Sequence, residues 1–471
     1  MALRRAETLT VKYAIMNYLK EDTIAALSTA AGKSAIAVIR LSGENSFQII
    51  GKIFKTHSKP EQQVKHGYIT DGIEKKDEVL CTFFKAPHTY TGENLVEIAA
   101  HGNPVIINEI LNLLYKNGAR PAGPGEFTYR AFLNDKMNLA EAEAVCALIT
   151  SKTEMSAKAA LNSLSGEFSS KIKNIRDAVT NLIASMEANL DHPDEDNMFL
   201  SRSEKLSRFD SCIKDVQNLL NSYKTGKILQ YGIKVVIIGK PNAGKSSLLN
   251  AILGKNRAIV TDIAGTTTDT VEETIDCCGI PLIITDTAGI REHSENLIEI
   301  LGQAKTREAV CKADILIWLF DSSSEPDCND AKIADFLKKS DLNIPIICVL
   351  NKSDLPPLFS SSLLNRENKV KVKISAKTGV GIADLLDEIV KIAGVSESKN
   401  DYLMINTRHF ILLQNTLESL IRTKQSLSAK DADEIACFEA LSAQISLNEI
   451  LGINVKQDIL DTIFSTFCIG K

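Results

Sequence analysis

The feature that most constrains this chain is the run Gly239-Lys240-Pro241-Asn242-Ala243-Gly244-Lys245-Ser246, which fits the pattern GxxxxGK[ST]. It follows the apolar run Ile233-Lys234-Val235-Val236-Ile237-Ile238 and precedes Ser247-Leu248-Leu249-Asn250-Ala251-Ile252-Leu253. That is strand, loop and helix in the order the pattern needs. Glycines let successive backbone N–H groups turn inward on a polyphosphate, and the helix N-terminus adds the positive end of its dipole. Lys245 then reaches the β and γ phosphates, and the Ser246 hydroxyl suits Mg2+.

Three further motifs follow in sequence. Asp286-Thr287-Ala288-Gly289 closes the apolar run Pro281-Leu282-Ile283-Ile284, which predicts Asp286 at a strand end on the magnesium side and the Gly289 N–H at the γ-phosphate. Thr266 and Thr267, in Gly265-Thr266-Thr267-Thr268-Asp269, suit a loop whose hydroxyl completes the magnesium shell. Asn351-Lys352-Ser353-Asp354 follows the strand Ile346-Ile347-Cys348-Val349-Leu350; the Asp354 carboxylate can accept two N–H bonds from guanine, where adenine offers no matching donors. Ser375-Ala376-Lys377 supplies a last base-side loop. The four motifs together resemble the translation-factor class of GTPases.

With 471 residues the chain exceeds a single core, so two to four domains are expected. A net charge of −5 argues against a broadly basic nucleic-acid coat, and any RNA contact must come from a local patch or a partner. The ten cysteines include no CxxC pair, and reduced thiols in a cytoplasmic protein are expected. Cys277 and Cys278 sit in an expected strand and point to opposite faces. No apolar run approaches the roughly 18 residues of a membrane span. Residues 1–21 carry Arg4, Arg5, Lys12 and Lys20 against Glu7 and the closing Glu21. They read as an N-terminal extension rather than an organelle-targeting segment, because serine and arginine are sparse.

Residues 22–135 read as an α/β domain, with strands near Ser34–Leu41, Glu78–Phe84 and Leu95–Ala100 and a helix from Pro104 to Gly118. Within it, the runs Ala86-Pro87-His88-Thr89-Tyr90-Thr91-Gly92-Glu93, Glu97 to Gly102, and Pro124-Gly125-Glu126-Phe127-Thr128-Tyr129-Arg130-Ala131-Phe132-Leu133-Asn134 resemble the N-terminal domain of the MnmE (TrmE) family of tRNA-modifying GTPases. Residues 136–228 form a first helical part, with an apolar stripe at Leu164, Phe168, Ile172, Ile175, Val179, Leu182, Met186 and Leu190. His192, among the acids that end this helix, reads as part of a solvated loop rather than a metal ligand. Residues 229–396 are the GTPase unit, where strands each followed by a helix predict a mostly parallel, Ras-like sheet, with Trp318 in its core. Residues 397–471 return to helical spacing at Phe410, Leu413, Leu417 and Leu420, and at Phe438, Leu441 and Ile445. The fold class is thus α/β plus α, with the GTPase domain inserted in a discontinuous helical bundle. The same nested order belongs to the MnmE family.

The chain ends Cys468-Ile469-Gly470-Lys471. As a prenylation box it fails, since glycine takes an aliphatic position; it matches the Cys-Ile-Gly-Lys ending of the family. Cys468 reads as a nucleophile or a reactive thiol.

Many small GTPases orient the attacking water with a glutamine after Asp-Thr-Ala-Gly, but here that position is Ile290. The resemblance places the water-orienting glutamate at Glu299, three residues before Gly302, with Glu292 and Glu295 as alternatives. Thr268 stands where an arginine would, and the resemblance implies potassium in its place, held by Asn242, Thr261, Ile263 and Thr266. It extends the GTP contacts over Asn242, Ala243, Gly244, Lys245, Ser246 and Ser247 and over Thr261, Asp262, Ile263, Ala264, Gly265, Thr266 and Thr267, with Ser246 and Thr267 on magnesium. It further implies a homodimer formed by the N-terminal domain and a 5-formyltetrahydrofolate site at Arg40, Glu97, Lys136 and Lys471. The turn Ala31-Gly32-Lys33-Ser34 departs from the glycine- and arginine-rich turn common in the family. The implied activity, with an FAD-dependent partner, is carboxymethylaminomethyl-type modification of the wobble uridine of certain tRNAs. The alternative is an RNA-binding or ribosome-assembly GTPase switch without folate chemistry.

Overall fold

The computed structural model describes residues 22–59, 61–191, 200–255, 272–286, 304–339, 344–359, 370–394, 402–429 and 433–471. The N-terminal extension and His192 lie outside them. In chain order the elements begin with β1 (Thr23–Leu27), β2 (Ser34–Ser42), α1 (Ser46–Ile53), β3 (Phe54–Thr56), β4 (Val64–Thr70), β5 (Lys75–Phe84), β6 (Leu95–Gly102), α2 (Pro104–Lys116), β7 (Ala119–Pro121) and α3 (Glu126–Leu133). Four helices follow: α4 (Leu139–Thr150), α5 (Glu154–Leu164), α6 (Glu167–Asp191) and α7 (Arg202–Tyr231). Then come β8 (Ile233–Gly239), α8 (Lys245–Lys255), β9 (Glu272–Cys277), β10 (Ile280–Asp286), α9 (Ala304–Lys312), β11 (Ile315–Asp321), α10 (Cys328–Lys339), β12 (Ile346–Asn351), β13 (Val370–Lys373) and α11 (Ile382–Ala393). The last helices are α12 (Thr407–Ala429), α13 (Asp433–Leu451) and α14 (Gln457–Ser465).

Two compact units result: Met1–Cys146 with Ser169–Arg202 and Gln425–Lys471, and Ala147–Phe168 with Ser203–Lys424. The first holds a seven-stranded sheet in the order β3-β4-β5-β6-β2-β1-β7, antiparallel apart from the β1–β7 pair. Alternation along β2 and β6 sends Ala37, Ile39, Leu41, Val96 and Ile98 to one buried layer with Ile49 and Ile50 of α1 and Ile110 and Leu114 of α2. Helix α2 starts where Asn103 accepts the Val105 N–H and Pro104 fills the first turn. It stops at Gly118, whose φ of +112° suits a residue without Cβ.

The apolar stripe of α6 is buried from Phe168 to Met186, while Leu190, at the helix end, is exposed. The stripe expected on α13 is turned the other way. Phe438 and Ile445 are 69% and 64% exposed, and the buried face is Ala436, Cys437, Ala440, Ala443, Leu447 and Ile450. Small side chains let this helix approach its neighbours closely, as where Gln444 donates to Thr180 of α6, so packing distance outweighed bulk hydrophobicity.

In the second unit the sheet runs β13-β12-β11-β8-β10-β9, parallel except that β9 pairs antiparallel with β10. Two-sided burial explains the unbroken apolar runs of β8, β11 and β12. One layer holds Ile237, Leu248, Ile317 and Val349; the other holds Trp318 with Phe320, Leu316 and Cys348. Tyr223 of α7 stacks on Phe410 of α12 at 4.1 Å, so helices before and after the sheet pack together. Among the described residues no helix is long and apolar enough to cross a membrane.

Candidate functional site

Strand β8 ends at Gly239 and β12 at Asn351, and the phosphate loop and the base-side loops therefore share the carboxyl edge of the sheet, where open α/β sheets bind ligands. Gly239 and Gly244 are required by close approach: a Cβ would lie 2.6 Å from the Leu319 carbonyl oxygen and 2.3 Å from Asn351 Nδ2, respectively. Asn242 takes a left-handed φ of +62°. Lys245 Nζ donates to the carbonyls of Gly239 (3.0 Å) and Lys240 (3.1 Å), which curls the loop around a cation. Ser246 and Ser247 open α8 and are exposed.

Asn351 joins the two sides. It is 2% exposed; its Nδ2 donates to the Ala243 carbonyl at 2.9 Å and its Oδ1 accepts the Ala376 N–H at 2.9 Å. One side chain thus fixes the phosphate loop against the base loop. Asp354 accepts from the Ser375 hydroxyl at 2.6 Å, the main reason its carboxyl stays below the ordinary value, so it is ionised for pairing with two N–H donors. Lys352, at φ +62°, donates to Asp321 at 2.6 Å. Burial works to raise the Asp321 pKa, yet Lys352 and Ser323 together hold it below the usual range. Lys377 is exposed. Asp286 ends β10 opposite Ile237 of β8; its side chain, Thr261, Asp262, Ile263, Ala264, Gly265, Thr266, Thr267, Thr287, Ala288, Gly289, Glu292, Glu295 and Glu299 lie outside the described residues. Of the expected magnesium and potassium ligands, Ser246 and Asn242 are therefore the two whose position can be stated. The hydroxyl at a helix start and the amide in a turned loop supply the hard oxygen donors that such ions need.

The second cluster belongs to the first unit. Arg40 and Glu97 face each other across β2 and β6, and Arg40 donates twice to Glu97 Oε1, at 2.7 and 3.1 Å. Its guanidinium lies 5.2 Å from the Tyr90 ring centroid and 5.7 Å from that of Phe127. The Phe127 N–H donates to the Lys471 carbonyl at 3.2 Å, which brings the C-terminus to this cluster. Lys136 Nζ donates to the Pro87 carbonyl at 3.0 Å, on the loop that carries Tyr90. The half-buried Tyr90 ring beside a guanidinium fits a ring system bearing carboxylates, while Phe127, fully buried, backs the guanidinium from the core; Glu97 Oε2, outside its Arg40 pair, fits a ring's donor edge. The residues present fit a folate. The departing turn is exposed, and open space surrounds Gly32.

The tail is seated by its backbone. Ile469 bridges Pro124, Gly125 donates to the Cys468 carbonyl, and Phe464 and Phe467 pack on Tyr129 and Leu139. At Gly470, φ is +92° and a Cβ would meet the Leu27 carbonyl oxygen at 2.1 Å. Cys468 is exposed, and no histidine or carboxylate bonds to it among the described residues.

A family model described as the MnmE helical domain matches residues 139–468, and one described as the GTP-binding protein TrmE N-terminus matches residues 23–136. The chain belongs to the MnmE family. A tRNA modification GTPase MnmE of Aquifex aeolicus is 41% identical over 453 residues, covering 96% of this chain and 100% of that protein. The MnmE of Natranaerobius thermophilus is 40% identical over 463 residues, with coverage of 96% and 100%. Among solved structures, the G domain of the T. maritima FeoB iron transporter aligns with 34% of this chain and 98% of its own, at 24% identity and a TM-score of 0.26.

Two features of this MnmE chain escaped the motif reading. One is the buried ionic cluster in which Arg130, 1% exposed, bonds Asp22, Glu93 and Glu126, with Arg120 on Asp22 and Glu126. Arg130 and Glu126 lie four apart on one helix face, the one local signal for it. The other is the set of partners of Lys240, for which the phosphate-loop pattern specifies no residue type.

Proposed function

We propose that this chain hydrolyses GTP with magnesium and potassium and that it works in tRNA modification, adding with an FAD-dependent partner a carboxymethylaminomethyl-type group to the wobble uridine of certain tRNAs in the cytoplasm. The observation that carries the GTPase reading is Asn351, which ties the phosphate loop to a base loop whose Asp354 is kept ionised. Residues 22–135 would dimerise and hold the folate through Arg40, Glu97, Lys136 and Lys471.

In this reading Lys245 and the loop N–H groups bind the β and γ phosphates, and Asp354 accepts from guanine while Lys352 covers the base. Ser246 and Thr267 would hold magnesium, and Asn242, Thr261, Ile263 and Thr266 potassium. These cations would supply positive charge to the transferring phosphate, the part played elsewhere by an arginine finger, whose contribution is about 10³ to 10⁵ in rate. Ile290 cannot hydrogen-bond water, so Glu299 is assigned to orient it, with Glu292 and Glu295 next in line. A bound folate supplies the one-carbon unit, which the cluster around Arg40 would orient.

The test is GTP turnover in potassium against sodium at matched ionic strength, for the parent and Glu299→Ala. Potassium stimulation that the variant loses while still binding GTP is the expected result. Equal rates in both salts would refute the potassium assignment, and stimulation that survives the substitution would move the water-orienting role to Glu292 or Glu295.

A further inference from the structure

Lys240 is the second residue of the phosphate loop, yet its side chain points away from where phosphates bind. It is 10% exposed and lies 3.1 Å from Asp330 Oδ2, 3.2 Å from Asp327 Oδ2 and 3.3 Å from Ser324 Oγ. Asp330 is 1% exposed, and its Oδ1 has no hydrogen-bond partner among the described residues. A buried carboxylate, Asp330, and a half-exposed one, Asp327, share this one buried ammonium; withdrawing the Lys240–Asp330 pair from water is costly and tolerated when the pairing is close.

The anchor is joined to a rigid element. Asp327 Oδ1 accepts the N–H groups of Asn329 (2.8 Å) and Asp330 (3.3 Å), capping the start of α10. On the loop side, the Lys240 carbonyl accepts Lys245 Nζ at 3.1 Å and the Ala243 N–H at 3.3 Å. Between Lys240 and Ala243 stands Asn242, at φ +62°. A left-handed asparagine persists when its surroundings over-determine it. Here they do so from both sides, through the Lys240 side chain before it and the Asn351 bond to the Ala243 carbonyl after it.

We propose that Lys240 is a positioning residue for GTP hydrolysis: clamped by Asp327 and Asp330, it holds the phosphate loop in the shape that presents Asn242 to the nucleotide and its monovalent cation. The cation part of this statement rests on the potassium reading above. A misplacement of about 1 Å in a catalytic constellation costs on the order of a hundredfold in rate. Nucleotide affinity depends as well on the guanine contacts of Asp354, which the clamp does not touch, and on Lys245, which meets Lys240 through the backbone carbonyl and not through the clamped side chain.

The experiment compares the parent with Lys240→Met, Lys240→Arg and the triple variant Lys240→Met, Asp327→Asn, Asp330→Asn. The triple variant removes the buried charges of Lys240 and Asp330 together with their half-exposed partner Asp327, so that loss of folding does not stand in for loss of positioning. Measured are GTP turnover, the Kd of a fluescent GDP analogue and the potassium concentration for half-maximal rate. Lys240→Met and the triple variant should turn over roughly ten- to a hundredfold more slowly, need more potassium, and bind GDP within about threefold of the parent, while Lys240→Arg recovers most of the rate. A folded triple variant with parental turnover overturns the proposal. So does a Kd that rises in step with the fall in rate, because the clamp would then serve binding alone. If parental turnover is indifferent to potassium, the cation reading fails, and the split between rate and Kd still decides the role of Lys240.

Discussion

Replacing Asn351 by alanine removes one side chain that bonds in two directions. Lost are the 2.9 Å bond to the Ala243 carbonyl and the 2.9 Å bond from the Ala376 N–H. Each is worth about 1 kcal/mol net, and a buried partner left unpaired costs about 1–3 kcal/mol more. Ala243 is fully buried, so at least that carbonyl has no ready access to water. The sum is about 3–5 kcal/mol. The two loops remain covalently attached to β8 and β12, whose apolar runs are untouched, so the loss falls on the shape of the site more than on the sheet. At about 1.4 kcal/mol per tenfold, nucleotide binding should weaken by about 100- to 4000-fold. Titration with a fluorescent GDP analogue measures this, and circular dichroism with a thermal melt confirms that the sheet survives. Asn351→Asp is the sharper control: it keeps an acceptor for Ala376 but turns a carboxylate oxygen on the Ala243 carbonyl, and it should bind no better than the alanine variant. A folded Asn351→Ala protein that binds GDP within about threefold of the parent would refute the idea that this residue couples the loops.

Arg130→Met leaves Asp22, Glu93 and Glu126 with Arg120 as the one remaining cation of the cluster; breaking such a buried network costs about 3–5 kcal/mol, to be seen as early loss of hydrogen-exchange protection in β1 and α3 with GTP turnover retained. Gly470→Ala should release the C-terminal tail, raising proteolysis after Phe467 and weakening folate binding without changing GTP turnover. Burial pushes the Cys81 and Cys277 thiols up to about 12 and Cys212 to about 11, so at pH 8 iodoacetamide should label exposed Cys278, Cys311, Cys328 and Cys468 well before these three. Because the unfolded thiols ionise near their reference value of 9.0 while the folded ones stay neutral, these groups lower stability as pH rises above about 9 and leave it unchanged below. Denaturant titrations at pH 8 and 10 should differ accordingly.

The strand, loop and helix around the phosphate-loop motif were legible because short, contiguous runs carry them. A strand must end, a loop must turn on glycine, and a helix must begin within about a dozen residues, and each demand leaves its own mark at Gly239, Gly244 and Lys245. The same holds for α2, where Asn103, Pro104 and Gly118 announce the helix bounds. What failed was the choice of face on α13. Phe438, Leu441 and Ile445 outweigh alanines on any hydrophobic scale, yet Ala436, Ala440 and Ala443 are the buried set. A close helix contact selects for small volume, which a count of apolar residues does not register.

Partners far apart in sequence were legible in type and not in pairing. Lys240 meets Asp327 and Asp330 across β8 and β11, and nothing within ten residues of any of them signals the contact. The C-terminal tail is a stronger case. Its Cys-Ile-Gly-Lys ending is a matter of resemblance in the sequence, but at Gly470 the chain runs so close to the Leu27 carbonyl that no Cβ fits, and the next residue accepts from Phe127. A terminal segment loses conformational entropy when it docks, about 1–2 kcal/mol per residue, and two backbone bonds, an isolated bridge and the packing of Phe467 have to offset that. The offset is narrow for so short a segment. Its seating should therefore respond to whatever occupies the neighbouring Arg40 cluster, which makes the tail a reporter of that site: folate binding should lower its hydrogen-exchange rate, and an unchanged rate at saturating folate would place the ligand elsewhere.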